Sequence, residues 1–143
     1  MLATHVRSLG LQTIKLQGVA GDCLYESINW GLGSNFSIKE LRKIAGDFCS
    51  LSLSPENWAP DNNVIDGPVN LETYLADIYK SGFGDEYTLT ALSQVMGFNY
   101  TIITADGYVN QICEDRTGFP RIYLGFCRLE AHYFPLRYQV SIK

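Results

Sequence analysis

No Cys-x-x-Cys pair occurs in the 143 residues, and histidine appears only twice, at His5 and His132. A zinc finger or ribbon needs four closely spaced Cys/His ligands, so that class is excluded and neither metal nor cofactor is called for. Clusters of Lys and Arg are also missing, and the net charge is −4, which argues against nucleic acid as the main partner. No apolar run approaches the ~18 residues of a membrane span. The N-terminus has no basic segment leading into an apolar stretch, so no secretory signal is expected either. With no route to an oxidising compartment, Cys23, Cys49, Cys113 and Cys127 are expected as reduced thiols in the cytoplasm. Repeats and internal linkers are absent too. With 46% hydrophobic and 18% charged residues, the expectation is one folded domain over 1–143.

What is present centres on Val19-Ala20-Gly21-Asp22-Cys23-Leu24-Tyr25-Glu26-Ser27-Ile28. Small residues lead into a cysteine, and helix-periodic residues follow to about Leu32, with Gly33 as the stop. A thiol at a helix N-terminus faces unpaired N–H groups and the positive end of the dipole, which favours thiolate. Gly21 lets the preceding loop bend, so that successive N–H groups point at one spot beside the sulfur, as an oxyanion hole requires. Cys23 is therefore the candidate nucleophile. Alone, the pattern also fits a core cysteine opening a buried helix. Cys49, Cys113 and Cys127 lie in apolar surroundings and read as core packing.

The remaining elements follow in order. Thr13 to Gln17 alternates apolar and polar and reads as a short strand or extended arm. Ser37 with Glu40 predicts a capping box, and Phe36 with Leu41 a hydrophobic staple, for a helix from 38 to about 50. Its inner face would be Ile38, Leu41, Ile44 and Phe48. Residues 52–69, with Pro55, Pro60 and Pro68, read as a surface loop. Asn70 predicts a third helix through Tyr79 that stops at Gly82. Asp85 predicts a fourth, with Leu89, Leu92 and Met96 inward and Gly97 at its end. The period then changes from 3.6 to 2. Strands are expected at Tyr100–Thr104, after an Asp106-Gly107 turn at Tyr108-Val109, at Ile122–Phe126, and from His132 to Tyr138. Helices first and strands last predict a segregated α+β domain on a small, mostly antiparallel sheet.

Two further stretches join the Cys23 motif: Phe83-Gly84-Asp85-Glu86-Tyr87-Thr88-Leu89-Thr90-Ala91-Leu92-Ser93, and Ala131-His132-Tyr133-Phe134. Together and in this order they resemble the OTU (ovarian tumour) family of cysteine deubiquitinases, over about Ala20 to Leu136. That family writes Asp-Gly-Asn-Cys-Leu-Phe-x-Ala-Ile, then Trp-Gly-Gly-x-x-Glu-Leu-x-Ala-Leu-Ser, then His-Tyr or His-Trp before a polar residue. The resemblance implies a papain-like OTU fold and hydrolysis after the C-terminal glycine of ubiquitin or a ubiquitin-like modifier. Cys23 would be the nucleophile and His132 the acid and base. Asp22 and Cys23 N–H groups, shaped by Gly21, would form the oxyanion hole, and Tyr133 would be a wall of the Gly-Gly channel. Ubiquitin or a relative is the partner implied, with no nucleic acid, no membrane and a monomeric enzyme.

Departures from the pattern carry expectations of their own. Ala20 replaces an Asp, Asp22 stands where Asn is frequent, and Phe134 replaces the Asp or Asn that orients the histidine. Asp22 beside the sulfur would oppose the helix dipole and raise the thiol pKa. Phe134 accepts no hydrogen bond, so a backbone carbonyl, water or neutral group is expected to orient His132, as in a Cys–His dyad. The short chain and loose motifs suggest a viral or mobile-element member, in which case the compartment is the host cytoplasm. Two alternatives stand beside the deubiquitinase: a viral polyprotein protease using the same pair, and an inactive ubiquitin-binding module.

Overall fold

The computed structural model describes residues 10–14, 20–60, 70–104, 109–112, 115–127 and 132–138. Its elements are β1 (Leu11–Thr13), a single 3-10 turn (Ala20–Asp22), α1 (Cys23–Gly31), α2 (Ile38–Ser52), α3 (Leu71–Ile78), α4 (Glu86–Met96), β2 (Asn99–Thr104), β3 (Val109–Ile112), β4 (Arg121–Cys127) and β5 (His132–Tyr138). The Asp106-Gly107 turn, Tyr108, Cys113 and Lys15 to Val19 lie outside the described residues, as do His5 and Ala131.

Local chemistry sets the helix ends. The Glu40 N–H donates to Ser37 Oγ at 3.0 Å while the Ser37 N–H donates to Glu40 Oε1 at 3.2 Å, the reciprocal box expected. Asn70 caps α3 through the Thr73 N–H at 2.8 Å. Asp85 caps α4 through the Thr88 N–H at 3.0 Å, and Thr88 Oγ1 accepts the Asp85 N–H at 2.9 Å. Thr88, which stands where the resembled pattern has Glu, thus closes a capping box with Asp85. Gly97 ends α4 in the left-handed region at φ 77°, where a Cβ is costly.

Five strands form one sheet in the order β1-β5-β4-β2-β3. The β1–β5, β5–β4 and β2–β3 pairs are antiparallel, and β2–β4 is parallel from Asn99↔Arg121 to Thr104↔Phe126. The architecture is α+β with a mostly antiparallel sheet. Strand alternation divides the apolar residues between its faces. Ile102, Ile122, Leu124 and Tyr133 join Leu24, Tyr25, Ile28, Leu41, Ala45, Leu89 and Leu92 in the helix-side core. Leu11, Ile103 and Leu136, flanked by Tyr123 and Phe134, make a smaller cluster on the other face.

One expected face is rotated. α2 buries Leu41, Arg42, Ala45, Gly46 and Cys49, while Ile38, Ile44 and Phe48 are only half-buried. The shift of about one residue brings Arg42 to 3% exposure. A buried guanidinium is tolerated only when its donors are satisfied, and here they are.

Candidate active site

Cys23 is the first residue of α1, directly after the 3-10 turn. Its Sγ accepts the backbone N–H of Tyr133 at 3.4 Å, across 110 residues of sequence. The topology explains that contact. Along the outer edge of β5, the Pro135 carbonyl accepts the Ile14 N–H at 2.9 Å. Two residues earlier on the same edge, the sulfur takes the Tyr133 N–H. The nucleophile candidate is thus joined by one hydrogen bond to the second residue of β5, the strand that begins with His132.

His132 is half-buried and pairs in register with Cys127 on β4. Its ring lies 4.4 Å, centroid to centroid, from the Phe134 ring in an edge-to-face contact. Residues i and i+2 share a strand face, so Phe134 occupies the place from which an Asp or Asn would reach the imidazole. Among the described residues, His132 has no side-chain hydrogen-bond partner.

Two expectations change. Tyr133 gives the site its N–H rather than an aromatic wall: its side chain is buried in the helix-side core against Phe126, with ring centroids 4.6 Å apart. The thiol pKa moves up, not down. Burial pushes Cys23 above the ordinary value of 9.0 and outweighs the N–H groups of Tyr133, Leu24 and Cys23 itself, which favour thiolate. Glu26 is a carboxylate that adds to this rise. Alkylation of Cys23 by iodoacetamide in the free protein, followed by peptide mass mapping, should therefore climb roughly tenfold per pH unit through neutrality, because only thiolate reacts. Its midpoint should lie above 9.0. A midpoint near neutrality would show that the dipole and N–H donors prevail.

Asp22 is held by Arg42, whose Nε and Nη2 donate to Oδ1 at 3.0 and 2.6 Å. Its carboxylate makes no cap bond to α1. Nη2 also donates to the Gly21 carbonyl at 3.0 Å, and Nη1 to the carbonyls of Ile78 and Gly82, each at 3.0 Å. Gly21 is required by a close approach: a Cβ there would collide with the Ser81 carbonyl oxygen. Gly84 of the middle motif is held likewise, since its Cβ would lie 2.5 Å from that of Leu24. The middle motif therefore packs directly on the first turn of α1, beside Cys23. Sequence reasoning missed Arg42, because nothing in its neighbourhood marks a buried arginine.

Cys49 behaves as a core thiol. It is buried, donates to the Tyr87 carbonyl at 3.7 Å, and burial followed by Asp85 pushes its pKa to about 12. Cys127 is free and half-buried. Among the described residues no group of three His, Cys, Asp or Glu is placed to hold a metal ion.

No protein-family model matches the chain, and no curated protein sequence matches it. Solved structures do. The OTUD1 OTU domain superposes with a TM-score of 0.68 at 17% identity, covering 94% of this chain and 91% of that one. An OTU deubiquitinase from Wolbachia pipientis wMel bound to ubiquitin gives 0.66 at 16%, covering 90% and 96%. The Hazara virus OTU bound to ubiquitin gives 0.64 at 17%, covering 92% and 83%. The fold of this chain is that of the OTU domains.

Proposed function

We propose that this chain is a cysteine-type deubiquitinase that cleaves after the C-terminal glycine of ubiquitin or a ubiquitin-like modifier, acting as a monomer in the cytoplasm. The observation that carries the reading is the Tyr133 N–H on Cys23 Sγ, which ties the sulfur at the α1 N-terminus to the residue that follows His132 in β5, within an OTU fold. Two of the structural relatives are ubiquitin complexes, which supports ubiquitin as the partner.

The chemistry follows from these groups. Cys23 thiolate adds to the glycine carbonyl, and the oxyanion that forms accepts the N–H groups of Asp22 and Cys23. His132 as imidazolium gives its proton to the lysine amine as the C–N bond breaks, leaving a thioester on Cys23. The neutral imidazole then takes a proton from water, hydroxide adds to the thioester, and Cys23 leaves as thiolate. Contact with Phe134 favours one rival, an inactive ubiquitin-binding module that has lost the group orienting its histidine.

A ubiquitin bearing a C-terminal electrophile separates the two. It should form one covalent adduct, mapped to Cys23. An adduct on Cys49, Cys113 or Cys127 would remove Cys23 from the role, and binding without any adduct would favour the inactive module.

A further inference from the structure

Arg42 makes five hydrogen bonds to four oxygens while only 3% exposed, and none of them goes to a group that reacts. What they fix is a peptide plane. In a trans peptide the carbonyl of one residue and the N–H of the next point in opposite directions. Drawing the Gly21 carbonyl onto Nη2 therefore turns the Asp22 N–H away from the guanidinium. Glycine makes rotation of this peptide easy, so the orientation needs a restraint. The Asp22 carboxylate, held on Nε and Nη2, fixes the other end of the same residue. Through Ile78 and Gly82 the same guanidinium anchors the turn to the α3–α4 connection.

We infer that Arg42 is a positioning residue that locks the Gly21–Asp22 peptide, and with it the orientation of the Asp22 N–H in the turn that is to meet the reaction's oxyanion. The inference rests on the deubiquitinase reading, which gives that N–H its task. Arg42 acts through Asp22 and Gly21 and touches no substrate.

Steady-state cleavage of ubiquitin–aminocoumarin by wild type, Asp22→Ala, Asp22→Asn and Arg42→Lys tests the lock, beside iodoacetamide alkylation of Cys23, which needs no oxyanion hole. Loss of one oxyanion donor costs about 10²–10³ in kcat, so a loosened one in Asp22→Ala should cost about tenfold or more, with KM within about threefold. Alkylation should stay within about threefold of wild type, since the thiolate itself is untouched. Asp22→Asn keeps an oxygen for the guanidinium and should recover kcat to within about threefold of wild type. Arg42→Lys keeps the charge without the fork and should follow Asp22→Ala; if it does not fold, the Asp22 pair decides. A wild-type kcat in Asp22→Ala, a parallel fall in alkylation, or no rescue by Asn would each overturn the lock. Wild type that leaves ubiquitin–aminocoumarin intact would instead refute the proposed function. Crystal structures of wild type and Asp22→Ala then read the lock alone: a Gly21 carbonyl released only in the variant supports it, and one unchanged in both overturns it.

Discussion

His132→Ala will lower kcat for ubiquitin–aminocoumarin by about 10²–10⁴-fold or more, the usual cost of a lost general acid and base. The affinity for ubiquitin should change little. In the proposed mechanism the imidazole acts on the bond that breaks, and the Tyr133 N–H that meets the sulfur belongs to the backbone, which alanine retains. Calorimetric titration with ubiquitin and steady-state kinetics on the same preparation would show the split. Near-normal turnover would take His132 out of the mechanism, and a parallel loss of binding would mean that the ring contacts ubiquitin itself.

Leu24→Ala should give the largest stability effect near the site, about 2–5 kcal/mol, as for other fully buried leucines. Leu24 has 0% exposure and lies in the helix-side core. Relaxation of the surroundings sets where in that range the cost falls. Here the neighbouring backbone has little freedom to close in: Gly84 abuts Leu24, Gly82 is held by Arg42, and Asp85 is held in its capping box. The upper half of the range is therefore expected. Against a typical domain stability of about 5–15 kcal/mol, that is a large share. Urea unfolding should show a lower midpoint at unchanged slope. A loss under about 1 kcal/mol would mean that the Leu24–Gly84 contact is not tightly packed.

Legibility from sequence tracked the range of the interaction. Ser37 with Glu40 and Asn70 with Thr73 cap within a single turn, so the residues alone announce α2 and α3. Asp85 with Thr88 does the same for α4. Helices before strands gave the α+β class. The order of the strands was not legible, because β4 enters between β5 and β2 and pairs parallel with β2 through long-range contacts that no local pattern encodes. Arg42 was hidden for the same reason: its acceptors come from the Cys23 loop, the end of α3 and the loop after it. The periodicity of α2 suggested Ile38, Ile44 and Phe48 as its inner face because hydrophobicity cannot foresee a guanidinium satisfied by carbonyls. At the site, Cys23 and the His132 strand were legible as motifs. The thiol's burial and the use of Tyr133 through its N–H were not, since the contact spans 110 residues of sequence and exists only in the fold.

The Tyr133 contact bears on how such a chain tolerates sequence drift. The donor that reaches Cys23 is an amide of the main chain, and every residue except proline carries one. The oxyanion donors assigned to Asp22 and Cys23 are of the same kind. Such donors do not depend on which side chain their own residues carry, provided that Gly21, Gly84 and the Arg42–Asp22 pair keep the backbone in place. Domains at 13–19% identity to this one share its backbone course, and it is the backbone that carries those donors.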